Sequence, residues 1–127
     1  MDKVHVGTMG WSYPFWKGSF YPENATAARF LAEYAKRLDT VEIDNTFYRI
    51  PSKSAVAKWK EQATPNFLFA AKFPRIITHV KMLKNCEQET AIFIERISEL
   101  KTKLGPLLLQ FPPSFKPEHV RLLRQFL

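Results

Sequence analysis

The amino-acid sequence predicts an α/β fold built on a parallel β-sheet. Four short apolar runs, at residues 4–7, 40–43, 67–72 and 106–111, are each followed by a helical pattern. This β-α order, repeated four times, is typical of parallel strands joined by crossover helices. The third and fourth runs are almost continuously hydrophobic, which predicts strands that are covered on both faces.

Each helical pattern is a stripe of apolar side chains at helical spacing. The first stripe consists of Phe30, Leu31, Tyr34, Ala35 and Leu38. The second consists of Val56 and Trp59, and the fourth of Val120, Leu123 and Phe126. Pro51 and Ser52 are predicted to start the second helix, and Pro117 the fourth, because both sequences suit a first helical turn.

The third helix is predicted to be the longest of the four. Its stripe consists of Ile92, Phe93, Ile97, Leu100 and Leu104. Asn85, with Gln88 three residues later, is predicted to cap the start of this helix. Gly105 and Pro106 are predicted to stop it, since glycine followed by proline is a common helix end.

Composition excludes several classes of protein. The chain has 127 residues, of which 46% are hydrophobic, so it can bury a core and is not a disordered tail. Its single cysteine, Cys86, cannot form an internal disulfide, and no Cys/His cluster predicts a metal site. The sequence assigns no cofactor. The start of the chain shows no signal peptide and no apolar run spans a bilayer, so a cytoplasmic location is predicted.

The net charge of +7 has two interpretations. Most lysines fall where outer helix faces are expected, for example Lys101 and Lys103, which favours simple solvation. A weak preference for anionic partners, such as phosphates or nucleic acid, is the alternative.

Both an open doubly wound sheet and a (β/α)8 barrel fit the predicted order of elements. Neither a P-loop nor a G-x-G-x-x-G turn follows the first strand, which argues against nucleotide binding. A closed eight-stranded barrel needs about 200 residues or more. If the chain is half of a barrel, its first and fourth strands are open edges. We then expect either a fragment of a longer protein or a chain that associates, with itself or with a complementary half-barrel chain.

Ligand sites in parallel sheets form at the carboxyl ends of the strands. Six of the eleven residues at 11–21, after the first strand, are aromatic, including Trp11, Tyr13 and Trp16. Two interpretations stay open. The loop folds over a ligand and stacks on it, or its aromatic side chains pin the loop to the fold.

After the second strand, the segment 42–49 carries most of the candidate site residues. Strand alternation predicts that Glu42 and Asp44 share one face, where carboxylates can serve acid/base chemistry or hold a metal. A carboxylate in an apolar strand needs a partner, because an unpaired buried charge costs several kcal/mol. Lys72 and Arg49 are the candidate partners. A structural ion pair and a catalytic group are both consistent with Glu42.

The third and fourth strands end in further polar residues. Lys72 is predicted to pair with a charge or bind an anion, with Schiff-base chemistry as an alternative. His79 is a candidate proton carrier, although a hydrogen-bonding role is common for histidine. Gln110 offers an amide toward the interior of a barrel.

At these segments the chain resembles the YecE-like family, a group of uncharacterised TIM-barrel proteins. The matching stretches are residues 7–13, 16–22, 40–49, Lys72 with 77–79, and 110–115. The resemblance implies a (β/α)8 fold, of which residues 1–127 form the N-terminal half, about four β/α units, with the C-terminal half missing. Asp44 stands where the family pattern predicts asparagine. The family has no agreed activity, so the resemblance implies no reaction.

The resulting hypothesis is an enzyme-type barrel whose intact form acts on a small polar or phosphorylated ligand. In it, Glu42 is general acid or base and Lys72 is the second catalytic residue and holds negative charge. The residues predicted to bind the ligand are Trp11, Tyr13, Trp16, Asn45, Tyr48, Arg49, His79 and Gln110. The alternative is a non-catalytic module that binds nucleic acid or another anionic partner.

Overall fold

The computed structural model describes residues 2–127 and contains one parallel sheet with the strand order β1-β2-β3-β4. The strands are β1 (Thr8–Met9), β2 (Thr40–Ile43), β3 (Leu68–Lys72) and β4 (Leu104–Leu108). The helices are α1 (Phe30–Ala35), α2 (Lys53–Gln62), α3 (Glu87–Ile97) and α4 (Val120–Phe126). The α/β prediction is confirmed, and the arrangement is consistent with half of a TIM-barrel-type fold.

The sheet buries only one of its faces. Val41 and Ile43 of β2 and Phe69 and Ala71 of β3 are at most 1% exposed, while the residues that alternate with them are half-buried. The buried face forms one hydrophobic core with the apolar sides of α1, α2 and α3. The prediction that the third and fourth strands are covered on both faces is therefore wrong. β4 contains no buried residue at all.

Two strands lie elsewhere than predicted. The first was expected at residues 4–7, but the ladder with β2 begins only at Thr8, and Val4 and Val6 are 82% and 67% exposed. A single neighbouring strand gives this segment few hydrogen-bond partners. The fourth strand begins at Leu104, two residues before the predicted start, and it ends at Leu108.

The early start of β4 has a local cause. Lys101 has a positive φ of 55° and kinks the helical segment Ser98–Lys103, after which the strand begins at Leu104. Gly105 therefore lies inside the strand, where a Cβ atom would come within 3.0 Å of the Phe69 carbonyl oxygen. It does not stop the third helix as predicted. Leu104 belongs to the strand for the same reason.

The predicted cap of α3 is also wrong. Cys86 occupies the N-cap position, while Asn85 has φ 50° and lies outside the helix. Asn85 tolerates the left-handed conformation better than most residues, which accounts for its place in the turn before α3. The apolar stripe itself is correct through Ile97 and Leu100, both of which are buried.

The other helices follow the sequence prediction. The Ser52 hydroxyl caps α2 and accepts a hydrogen bond from the Ala55 amide at 3.1 Å. At the other end of α2, the Lys103 ammonium donates to the carbonyls of Lys60 and Ala63 at 2.6 and 2.9 Å. A short turn at Pro117–His119 leads into α4.

The core also fixes the register of the first two strands. The Tyr34 hydroxyl, which is buried, accepts a hydrogen bond from the Thr8 amide at 2.8 Å and donates one to the Thr40 carbonyl at 2.9 Å. One α1 side chain therefore joins β1 to β2.

Within residues 2–127, no helix has the length and apolar character needed to cross a membrane.

Candidate functional site

Two opposite charges meet on the open face of the sheet. Glu42 of β2 pairs in register with Ala70 of β3, and Lys72 follows two residues later on the same face. The Lys72 Nζ atom lies 3.9 Å from Glu42 Oε1, and the two side chains are 15% and 29% exposed. Of the two candidate partners for Glu42, the structure therefore selects Lys72 over Arg49.

The contact between Glu42 and Lys72 is a loose one. A distance of 3.9 Å exceeds that of a charge-assisted hydrogen bond, which is about 2.7–2.9 Å. The Glu42 Oε1 atom is buried and accepts no hydrogen bond from any residue in the range 2–127. Most buried polar atoms have a partner, so this oxygen is an acceptor with spare capacity beside a cation.

A single turn after β2 completes the wall of the site. It is the short helix Asn45–Phe47, in which the buried Thr46 hydroxyl contacts the Lys72 carbonyl at 2.7 Å. This contact ties the ends of β2 and β3 together. It also brings the Phe47 ring to 5.7 Å from the Lys72 Nζ atom, within the range of a cation–π interaction.

His79 packs against the Phe47 ring. The two ring centroids are 5.0 Å apart in an edge-on arrangement, and His79 Nδ1 is 2.8 Å from the Thr78 hydroxyl. Burial of the imidazole, together with the positive charge of Arg75, lowers the pKa of His79 below its ordinary value. The neutral ring is therefore favoured, and it can accept or donate a hydrogen bond.

The remaining predicted residues of the second loop lie at the rim. Tyr48 is 74% exposed and packs edge-on against Phe47 at 5.3 Å. Asn45 and Arg49 are exposed and line a cavity of about 320 Å³ beside Ser52 at the start of α2. Neither Glu42 nor Lys72 lines this cavity, and Asn45, Tyr48 and Arg49 make no hydrogen bond to either of them within residues 2–127.

Asp44 does not continue the alternation of β2. The strand ends at Ile43, and Asp44 adopts a helical conformation at the start of the turn. Its carboxylate lies close to Gly10, and the two residues line a cavity of about 290 Å³ with Tyr13 and Asn45. Strand geometry therefore does not place Asp44 beside Glu42, contrary to the prediction.

The aromatic loop after β1 packs mainly against the core. The Trp16 ring lies 4.6 Å from Tyr13 and 5.5 Å from the buried Tyr21. Trp11 packs edge-on against Trp59 of α2 at 5.9 Å. These contacts favour the interpretation that the aromatic side chains pin the loop. Direct contact of Trp11, Tyr13 or Trp16 with a ligand stays a prediction.

Gln110 lies two residues beyond the end of β4 and is exposed. It continues the alternation of Leu108, which is 43% exposed and pairs in register with Lys72. Its role in orienting a ligand stays a prediction.

Sequence reasoning missed Thr46, Phe47 and Thr78. Thr46 and Phe47 act through contacts with the end of β3 and the segment after it, which depend on the conformation of the turns. Thr78 acts on the neighbouring His79 through its hydroxyl group. The one available signal was their position directly beside predicted site residues.

The fold and the polar strand ends define an α/β protein with a parallel four-stranded sheet, which is consistent with half of a TIM-barrel-type fold. The family model described as "Protein of unknown function DUF72" matches residues 5–127. The chain belongs to this family, and the resemblance found in the sequence is confirmed.

Individual relatives agree with this assignment. The chain is 33% identical to the UPF0759 protein YecE of Escherichia coli K12, over 98% of this chain and 43% of that protein. A DUF72 family protein from Thermotoga maritima superposes with a TM-score of 0.80 at 33% identity, covering 98% of this chain and 52% of that one. A DUF72 family protein from Enterococcus faecalis V583 superposes with a TM-score of 0.74 at 29% identity, covering 97% of this chain and 46% of that one. The chain thus spans about half the length of these relatives.

Proposed function

We propose that the carboxyl ends of β2 and β3 bind a small polar ligand that carries negative charge, such as a phosphorylated one. Lys72 holds the charge, and Glu42 serves as the proton acceptor or donor. The observation that carries the proposal is the loose Glu42–Lys72 contact of 3.9 Å, in which the buried Glu42 Oε1 atom accepts no hydrogen bond from residues 2–127.

The hydrogen-bonding capacity of Lys72 supports the same proposal. An ammonium group has three donors, and within residues 2–127 the Lys72 side chain makes no hydrogen bond, only the contacts with Glu42 and the Phe47 ring. Because the side chain is only 15% exposed, water satisfies these donors poorly. An anionic group on the open face of the sheet would satisfy them.

The surroundings favour a ligand with both a charged and a less polar part. Phe47 supplies an apolar wall, and His79 supplies an imidazole that is held neutral. At the rim, Asn45 and Arg49 offer further donors, and Gln110 is proposed to orient the ligand from the end of β4. Within such a site, Glu42 can transfer a proton to or from a hydroxyl or carbon acid.

The proposal is tested by calorimetric titration of the chain with inorganic phosphate and with glucose 6-phosphate, using glucose as the uncharged counterpart. The Lys101–Glu99 pair is a matched control because it has the same 3.9 Å separation and lies before the start of β4, at the opposite end of the sheet. We expect Lys72→Met to weaken phosphate binding by about tenfold or more, the value of one charge-assisted hydrogen bond. Lys101→Met should leave it unchanged.

The two carboxylates provide a second comparison. Glu42→Gln removes the negative charge that competes for Lys72, so we expect tighter binding of phosphate, while Glu99→Gln should have no effect. Equal weakening by both lysine variants, with a steep dependence on salt, would contradict the proposal. It would point instead to diffuse attraction by the net charge of +7.

A further inference from the structure

A second cavity lies where β1 and β2 end, next to the proposed anion site. It has a volume of about 290 Å³ and is formed by residues 10–13, which follow β1, and by Asp44 and Asn45, which follow β2. Neither Glu42 nor Lys72 lines it. Pockets for small molecules are usually about 300–1,000 Å³, so this cavity suits a single ring.

The wall that follows β1 is held in place by the fold. The Gly10 amide donates a hydrogen bond to the Glu42 carbonyl at 2.9 Å, so β1 and β2 stay joined beside the cavity. The Tyr13 hydroxyl donates to a carbonyl of β1, and the Trp11 carbonyl accepts a hydrogen bond from the buried Tyr21 hydroxyl at 2.5 Å. A wall that is fixed in this way loses little conformational freedom when a ligand binds.

Asp44 is the single charged residue among the described residues that line this cavity. Its side chain does not cap the turn that it begins. No lysine, arginine or histidine within residues 2–127 forms an ion pair with it. An ionised carboxylate accepts about four hydrogen bonds, so Asp44 offers the cavity acceptors that no charged group of the described chain occupies.

The rest of the lining is neutral and partly aromatic. Ser12 carries a hydroxyl group and Asn45 an amide, and both groups can donate and accept hydrogen bonds. The rings of Trp11 and Tyr13 supply aromatic surface, and the negative face of such a ring attracts weakly positive C–H groups. Acceptors for hydroxyl groups beside aromatic surface for C–H groups fit a ring that carries several hydroxyl groups.

Charge divides the two neighbouring spaces between different parts of a ligand. An anionic group is attracted by Lys72 and repelled by Asp44, so the part of the ligand that reaches Asp44 is not the anionic one. Asp44 follows Glu42 by two residues, so their α-carbons are at most about 7 Å apart. One small molecule can therefore occupy both spaces.

We propose that this cavity binds the uncharged, hydroxyl-bearing ring of a sugar phosphate whose phosphate group lies at Lys72. Asp44 accepts hydrogen bonds from neighbouring hydroxyl groups of the ring, and Trp11 and Tyr13 pack against its C–H groups. The position of the phosphate rests on the function proposed for Glu42 and Lys72. The subsite for the ring rests only on the cavity and on Asp44.

Uncharged sugars test the ring subsite separately, because they carry no charge for Lys72 to attract. Saturation-transfer NMR of the 127-residue chain with glucose, galactose, mannose and ribose measures contact with the protein. We expect transfer to the C–H protons of at least one of these sugars and its loss in Asp44→Ala. Transfer should persist in Lys72→Met and in Glu23→Gln, which removes an exposed carboxylate outside the cavity.

The phosphate ester of the sugar that gives the strongest transfer tests the link between the two spaces. Calorimetric titration compares this ester with inorganic phosphate. We expect Asp44→Ala to weaken binding of the ester by about tenfold, the value of one hydrogen bond to a charged group. Binding of inorganic phosphate should not weaken in this variant, and circular dichroism checks that it keeps its secondary structure.

Three results would overturn the ring subsite. The first is no transfer to any of the four sugars, or transfer that Asp44→Ala leaves unchanged. The second is tighter binding of cyclohexylamine than of every sugar, because the cavity would then select a cation. The third is sugar contact that maps to the groove of about 1000 Å³ between α3 and α4, which Ile94 and Phe126 help to line. If sugars bind as expected and inorganic phosphate does not, the anion site at Lys72 fails and the ring subsite stands.

Discussion

At the scale of single residues, the contacts of Thr46 and Phe47 determine what Lys72 can do. The Thr46 hydroxyl, hydrogen-bonded to the Lys72 carbonyl, fixes the end of β3 against the turn after β2. The Phe47 ring then lies under the ammonium group. Lys72 is thus positioned by backbone and aromatic contacts, and its side-chain donors are left for a ligand.

Burial of His79 leads to a prediction about pH. The pKa of His79 lies below its usual value of 6.5 in the folded chain, because of burial and of Arg75. As the pH falls below 6.5, the unfolded chain binds a proton before the folded chain does. The free energy of unfolding should therefore decrease from pH 6.5 down to the folded pKa, and this contribution should level off below it.

Urea unfolding at a series of pH values measures this effect. His79→Gln should reduce the dependence of the free energy of unfolding on pH below pH 6.5. Val80→Gln, at an exposed position on the same helical turn, should preserve this dependence. An identical slope in the chain and in His79→Gln would show that His79 is not the titrating group.

The charged residues of the candidate site could be predicted from the sequence, but the residues that position them could not. Glu42 and Lys72 follow from strand alternation and from their places near the strand ends, which the sequence shows directly. Thr46 and Phe47 were missed because their contacts with Lys72 are made between the ends of β2 and β3. No spacing rule along one segment predicts such a contact.

At the scale of elements, the caps of α2 illustrate how local chemistry sets helix ends. Ser52 was predicted to start this helix, and its hydroxyl accepts the Ala55 amide hydrogen bond. At the other end, Lys103 reaches the last carbonyls from a distant segment. The first cap is local and readable from sequence, while the second depends on tertiary packing.

The N-cap provides a stability prediction. Ser52→Ala leaves an amide of the first turn of α2 without its acceptor, so we expect a loss of about 1 kcal/mol in the free energy of unfolding. Ser114→Ala, in the exposed loop after β4, should change it by less than about 0.5 kcal/mol. Urea unfolding measures both variants, and equal losses would contradict the capping role.

The errors in the predicted elements share a physical cause. Lys101 and Asn85 have positive φ angles at the two ends of the α3 region, and neither is glycine. The prediction that Gly105 stops the third helix therefore placed the end of that helix too late in the sequence. The segment 4–7 has strand composition, but a ladder forms only where a neighbouring strand supplies partners.

At the scale of the whole molecule, four β/α units bring the polar ends of β2 and β3 to one edge of the sheet. The order of elements and the resemblance predicted this arrangement, and the DUF72 relatives confirm the family. The one-sided burial of the sheet was not predicted. Apolar strand composition indicates that a face can be covered, but not whether this stretch of chain covers it.

The most direct test of the candidate site is a map of backbone amide shifts by NMR as inorganic phosphate is added to the chain. We expect the largest shifts at residues 43–48 and 72–79, and their loss in Lys72→Met. Shifts that are largest along the groove between α3 and α4, or spread over the lysines of the helix faces, would contradict a ligand site at the ends of β2 and β3.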